Sequence, residues 1–353
     1  MLNNDLLTSP AQSICILRLS ALGDISHTLP IFYTIRQAWP NTKITWIIGK
    51  VEYELVKDLD GVEFIIYDKK SGLKGYNHLR KILQNHHFDV LLHMQMSFRS
   101  SMVSMLVKAK IKLGFDKQRA KDLQWLFTNK KIQHSPQQHV VDSFFGFTEA
   151  MGIKEKLYKW DIPVPPNAQR FAATYIKEQP TLVISPCSSK AHRNWNCEGY
   201  AAVADHAIQN LGMQVILTGG PSDIENQFGQ CIEKKATHPL VNLIGKTSIK
   251  EILAVLEKST VLLAPDSGPA HFATAVNTPV IGLYACTNPE RARPYLSEKW
   301  LVNRYPEAIQ KKYHTAVTEI PWGTRVRDEG TMNLITVKDV VEKLEALLTG
   351  NNN

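Results

Sequence analysis

Short apolar runs recur along the whole of this chain, and nearly every one is followed by a longer stretch with apolar residues at helical spacing. Runs of strand length stand at 14–19, 44–48, 63–67 and 89–94, with a shorter one near 111–115. A second series occupies 181–185, 213–218, the region near 240–244, 260–264 and 279–284. Helical stretches lie between them, among them Glu52–Leu59, Leu73–Asn85 and Val141–Met151, the last closed by Gly152. Unbroken apolar runs suit strands buried on both faces, and strand–helix repetition builds a parallel sheet with helices on both sides. The two series are separated by Asp161-Ile162-Pro163-Val164-Pro165-Pro166-Asn167, whose prolines exclude a central strand or helix interior. The expected fold class is α/β: two Rossmann-like domains with a cleft between the carboxyl edges of their sheets. Residues 1–160 form the first domain, 161–170 a proline-rich linker and 171–335 the second domain. Residues 336–353 form a terminal helix, Val337–Leu348, and tail that can pack back on the first domain.

Open α/β sheets bind ligands beyond the carboxyl ends of their strands, so the loops there carry the chemistry. After the run 14–19 comes Ser20-Ala21-Leu22-Gly23-Asp24, then a helix that begins near Asp24–His27. It runs through Trp39 with Leu29, Phe32, Ile35 and Ala38 on one face and Pro30 in its first turn. Asp24 either caps this helix or serves as a general base facing the crevice. After the run 260–264 comes Pro265-Asp266-Ser267-Gly268-Pro269-Ala270-His271. A strand, a small-residue turn and a helix N-terminus make an anion site, since free N–H groups and the positive helix end converge. This segment reads as a diphosphate site for a sugar nucleotide, with His271 donating to an oxygen; the alternative is an ordinary Ser267 cap. The loop after 181–185 offers the hydroxyls of Ser188 and Ser189 and the fork of Arg193, a fit for phosphate. Glu225, beyond Gly219-Gly220, can take ribose hydroxyls or simply belong to a strand-to-helix turn. Thr287 closes the last strand near the same crevice.

The chain carries 41 Lys and Arg against 33 Asp and Glu, a net charge of +8. From Lys108 to Lys131 there are eight bases and two acids. A second group comprises Lys69, Lys70, Lys74, Arg80 and Lys81. Basic surface of this kind suits an anionic partner. Aromatic residues are not interleaved with it, so no nucleic-acid partner is expected. No apolar run reaches the length of a membrane span, and the first residues do not resemble a signal peptide. Five cysteines without C-x-x-C spacing point to reduced thiols and no zinc site. Complete GxGxxG, Walker A, G-x-S-x-G and H-E-x-x-H patterns are missing, which disfavours a dehydrogenase, P-loop enzyme, α/β-hydrolase or zincin.

Ile16-Leu17-Arg18-Leu19-Ser20-Ala21-Leu22-Gly23-Asp24 with His27-Thr28-Leu29-Pro30 resembles the opening of the lipopolysaccharide heptosyltransferases of glycosyltransferase family 9, heptosyltransferase I in particular. Asp266-Ser267-Gly268-Pro269-Ala270-His271 is similar to their donor-diphosphate motif. The resemblance implies a GT-B fold and inverting transfer of heptose; no acidic pair suited to a metal stands beside the Asp266–His271 turn, so transfer is expected to need neither metal nor cofactor. The donor would be ADP-L-glycero-D-manno-heptose and the acceptor a Kdo residue of Kdo-lipid A, either Kdo2-lipid A or a phosphorylated single Kdo. It implies an enzyme of the Gram-negative cytoplasm, peripheral to the inner membrane. Asp24 would be the general base. Ser188, Ser189, Arg193, Glu225, Thr287 and the stretch Asp266–His271 would hold the donor, with Arg193 standing where the family usually has lysine. Arg18, Ser20, Gly23, Lys69, Lys70, Lys74, Arg99, Arg119 and Lys121 would face the acceptor. A sugar-nucleotide epimerase and a non-catalytic sugar-nucleotide or anionic-lipid binder are the alternatives on the same scaffold.

Overall fold

In the computed structural model, residues 5–350 are described. They fall into two compact units, Met1–Pro163 and Val164–Asn353. The first holds β1 (Ser13–Leu17), β2 (Lys43–Gly49), β3 (Glu63–Tyr67), β4 (His87–His93), β5 (Lys108–Gly114) and β6 (Lys130–Lys131), in the order β3-β2-β1-β4-β5-β6. The second holds β7 (Thr181–Ile184), β8 (Gln214–Leu217), β9 (Val241–Asn242), β10 (Val261–Pro265), β11 (Val280–Tyr284) and β12 (Val302–Asn303), in the order β12-β11-β10-β7-β8-β9. Every pairing is parallel.

Both sheets are wound the same way: the first and fourth strands of each unit lie side by side and the strand order reverses between them. That reversal opens a crevice at the carboxyl ends of β1 and β4 in one unit, and of β7 and β10 in the other. The central strands are apolar throughout because helices cover both faces; Ile14, Cys15, Ile16 and Leu17 of β1 and Val261 to Ala264 of β10 are wholly buried.

Several boundaries differ from expectation for physical reasons. The first helix starts at Leu22, not near Asp24–His27, and ends at Ala38. Pro30 is therefore inside it rather than in its first turn, and the bond that a residue 30 amide would make to the Ser26 carbonyl is absent. The linker is shorter than expected, because Pro166 opens the helix Pro166–Tyr175 with Pro165 as its cap, a place where a missing N–H costs nothing. The terminal helix Val337–Leu348 belongs to the second unit, where Val340 and Leu344 join the core around β7 and β8. Five reduced thiols were expected, but Cys197 and Cys231 form a disulfide. They sit on the packed helices Cys197–Leu211 and Asp223–Lys235 with Cα atoms 6.0 Å apart, within bridging range. Cys15, Cys187 and Cys286 are free and buried.

Candidate active site

At the switch point of the first unit, Asp24 lies on the first turn of the helix Leu22–Ala38, directly beyond β1. Its Oδ2 accepts from the Ala21 amide at 3.2 Å and pairs with Nη2 of Arg18 at 2.5 Å. The capping role and the exposed carboxylate are thus both present, for the side chain keeps 37 % of its exposure. Arg18 was expected to face the acceptor. It is instead buried, donating to the Met94 carbonyl and to Asp24 with its guanidinium 5.4 Å from the Phe144 ring centre. Its task is to hold the Asp24 carboxylate. Ser20 is held by Gln95, a residue with no motif to announce it. Gln95 Oε1 accepts from the Leu19 and Ser20 amides at 2.6 and 3.2 Å, while its Nε2 donates to Ser20 Oγ at 3.1 Å. The strand-to-helix loop that carries Gly23 and Asp24 is thereby tied to the end of β4.

The remaining bases of this unit divide into two groups. Lys69 pairs at 2.7 Å with Glu52, itself 5 % exposed, and Arg119 is tied to buried Asp116, to Ser143 Oγ and to the Gln133 carbonyl. Both are fixed by the fold rather than free for a ligand. Lys70, Lys74, Arg99 and Lys121 are exposed in segments that follow β3, β4 and β5 at the carboxyl edge.

In the second unit the segment after β10 turns directly into a helix, as the sequence suggests. The helix Gly268–Ala275 starts with Ser267 at the cap position, yet the Ser267 side chain makes no capping bond and its Oγ is buried without a partner. A buried hydroxyl beside free helix N–H groups is poised for an incoming oxygen anion. Asp266, 7 % exposed, receives Nη1 of Arg193 at 3.0 Å and has His271 Nε2 at 3.8 Å. Burial acts to raise this carboxyl, but the His271 imidazole, the Arg193 charge and the Thr287 hydroxyl together hold it below the ordinary carboxylate value. Asp266 is thus a buried anion that orients cations.

Arg193 is positioned from β7. The loop Pro186–Asn194 closes on itself through the Ser188 amide and Asn194 Oδ1 at 2.7 Å, with Ser188 half-buried and Ser189 exposed. Trp195 then pins the loop: it is 2 % exposed, and its Nε1 donates to the Ile335 carbonyl at 3.1 Å. Gly199 lies under this ring, where a Cβ would come within 2.4 Å of it. The same region contains three arginines that sequence reasoning missed. Val326 donates to the Cys286 carbonyl, and an antiparallel bridge joins Thr287 to Arg325. Asp266, Thr287, Asn288, Arg291 and Arg325 consequently line one pocket. Burial, then the charges of Arg193 and Arg291, push Arg325 below the usual arginine value, and burial with Arg193, Arg327 and Arg325 lowers His192. The only local sign of this cluster is the alternation Arg325-Val326-Arg327, which puts two guanidiniums on one side of an extended segment.

Of its two readings, Glu225 is seen in the strand-to-helix turn. Its Oε1 accepts from the Gly220 amide at 2.7 Å and its Oε2 from Ser222 Oγ at 2.6 Å, so the carboxylate closes its own turn. A Cβ on Gly220 would lie 2.9 Å from that carboxylate, which accounts for the glycine without a ligand. Burial pushes the nearby Cys187 thiol up to about 12 and Cys286 to about 11, so neither is a nucleophilic thiolate at neutral pH.

The family model of glycosyltransferase family 9 (heptosyltransferase) matches residues 76–320. The chain belongs to this family. It is 40 % identical to the lipopolysaccharide core heptosyltransferase OpsX of Haemophilus influenzae over 343 residues, covering 97 % of this chain and 99 % of that one. Its fold is shared with a family 9 glycosyltransferase from Veillonella parvula (TM-score 0.78, 21 % identity, 99 % of each chain). It is also shared with E. coli heptosyltransferase WaaC solved with ADP (TM-score 0.73, 20 % identity, 95 % of this chain and 99 % of that one). The fold is GT-B, with two Rossmann-like domains, and the chain is a glycosyltransferase; the epimerase and the non-catalytic binder fall away.

Proposed function

We propose that the protein is an inverting lipopolysaccharide heptosyltransferase that moves L-glycero-D-manno-heptose from ADP-heptose to a Kdo residue of the inner core. The observation that carries this reading is the Asp24 carboxylate: half-exposed at a sheet's switch point, with both of its contacts on Oδ2. Full-length similarity to OpsX, and to WaaC solved with ADP, supports the donor class.

In one displacement, the acceptor hydroxyl oxygen bonds to the heptose anomeric carbon as the bond from that carbon to the diphosphate breaks. The hydroxyl proton passes to Asp24. Pairing with Arg18 orients this carboxylate, and proton transfer late in bond formation removes the need for a strong base. Negative charge gathering on the departing ADP is met by Arg193, Arg325, His271 and the N–H groups of Ser267, Gly268 and Ala270. These fixed cations supply the neutralisation that a divalent metal gives other transferases, so we take the reaction to be metal-independent. Ser188 and Ser189 add hydroxyl donors to the same loop. Lys70, Lys74, Arg99 and Lys121 are the acceptor's anion receptors, suited to the carboxylate of Kdo and to a phosphate on it, and to work at the cytoplasmic face of the inner membrane.

The test is transfer from ADP-heptose to phospho-Kdo-lipid A and to Kdo2-lipid A, each with and without EDTA. Product on one of them, unchanged by EDTA, is expected. Tight ADP-heptose binding with no product on either acceptor would overturn the acceptor assignment, and activity abolished by EDTA would overturn metal independence.

A further inference from the structure

The segment between β5 and β6 exposes an unusual set of side chains. A short 3-10 turn spans Gln124–Leu126, and Leu123, Trp125 and Leu126 are 52 %, 53 % and 58 % exposed. Three large apolar residues pointing outward from four consecutive positions is not what a solvated loop presents. Backbone geometry maintains the display: Asp122 and Leu123 have φ of 50° and 59°, left-handed values that non-glycine residues seldom adopt. The fourth residue, Gln124, is fully buried and works as the fastener. Its Nε2 donates to the His93 carbonyl at 2.8 Å and to the Gln95 carbonyl at 3.2 Å, while its Oε1 accepts from the Phe115 amide at 3.1 Å.

The surroundings of this apolar turn are cationic. Trp125 shares a groove of about 500 Å³ with Lys117, Lys130 and Lys131, all exposed, and Lys121 is exposed just before the turn. Apolar tips amid lysines match the interface of an anionic bilayer, where side chains of this kind enter the acyl boundary and ammonium groups meet headgroup phosphates. Location points the same way. Gln95 takes Gln124 on its carbonyl and the Leu19 and Ser20 amides on its side chain, so the turn and the Asp24 loop are fastened to one strand end. Phe98, 58 % exposed, begins the helix that follows on the same edge.

We propose that the 117–131 segment is a membrane-docking surface, with Leu123, Trp125 and Leu126 inserting into an anionic phospholipid bilayer and Lys117, Lys130 and Lys131 binding its headgroups. Docking there would bring the Asp24 edge to the height at which a lipid-linked sugar emerges; that purpose, though not the binding itself, rests on the transfer reading above.

The test uses the full chain with sedimenting vesicles of phosphatidylglycerol and phosphatidylethanolamine, or of phosphatidylcholine alone. The wild-type chain is expected to sediment with the anionic vesicles and not with the neutral ones. The triple variant Leu123→Ser, Trp125→Ser, Leu126→Ser is expected to partition at least about tenfold more weakly. A second variant, Lys117→Gln, Lys130→Gln, Lys131→Gln, which leaves the turn intact, is expected to lose binding by a similar factor at low salt. Both should keep the wild-type melting temperature and turn over a detergent-dispersed acceptor within about twofold of wild type, as surface changes do. Wild-type sedimentation by the triple variant, or no wild-type binding to anionic vesicles, would overturn the proposal. A wild-type chain that self-associates through this turn and does not bind vesicles would overturn it in favour of a second copy. Vesicle binding is measured without donor or acceptor, so its failure and the failure of the transfer reading are separable.

Discussion

Arg193→Met removes a guanidinium while keeping most of its packing, and it leaves Asp266 as a buried carboxylate with one cationic neighbour fewer. Breaking a buried ion pair from one side costs about 3–5 kcal/mol. His271 at 3.8 Å and Thr287 remain, so the lower end applies here, about 3 kcal/mol at pH 7. For a unit of this size that is a fall of about 6–12 °C in melting temperature. The loss depends on pH in a definite direction. In the wild type the folded carboxyl lies below its ordinary value, so its contribution to stability is present above about pH 4 and is lost as pH falls through the folded value. In the variant, burial is less opposed, the carboxyl rises, and protonation relieves the unpaired charge. The gap between wild type and variant should therefore narrow as pH is lowered from 7 towards 4. The assay is thermal unfolding followed by circular dichroism across that range, with ADP affinity by calorimetry on the same samples. A fall of less than about 1 kcal/mol at pH 7, or a gap that is the same at both ends of the range, would refute the reasoning.

Gln95→Ala should free the Leu19 and Ser20 amides and loosen the loop bearing Asp24, lowering kcat roughly tenfold while ADP affinity stays at wild type; the split between transfer rate and calorimetric affinity is the readout. His93, whose imidazole is pushed down to about 3 by burial and then by Lys112 and Arg18, should be a source of acid sensitivity. The unfolded chain takes a proton there near pH 6.5 and the folded chain does not, so stability is lost as pH falls below that point. His93→Gln should abolish about 2 kcal/mol of the loss between pH 7 and 5, seen as a flatter melting-temperature profile.

The strands that build the two sheets were legible because parallel strands covered on both faces are continuous apolar runs. Strands β6 and β12 were not, being two residues each and defined only by their neighbours. Asp24 and the Asp266–His271 stretch could be singled out because each follows a central strand directly, and a switch point always lies there. Arg18 was misassigned for want of depth: nothing in the sequence says that this side chain turns inward to the Met94 carbonyl and Asp24. Glu225 had a local signal for the turn, since Ser222 followed three residues later by Glu225 is the sequence signature of a helix start, and Ser222 Oγ does accept from the Glu225 amide. Arg325 is distant in sequence from Asp266, and long-range ties, the bridge to Thr287 and the Val326 amide on the Cys286 carbonyl, bring them together. Long-range pairing of that kind leaves no periodic trace.

The central claim is that Asp24 takes the acceptor proton while a separate set of cations holds the donor. Its most direct test is Asp24→Asn, measured for heptose transfer from ADP-heptose to the Kdo-lipid A acceptor and, in parallel, for ADP-heptose affinity. The account predicts transfer reduced by at least about a hundredfold, the scale of a lost general base, with affinity within about threefold of wild type. Transfer at the wild-type rate in that variant would contradict it.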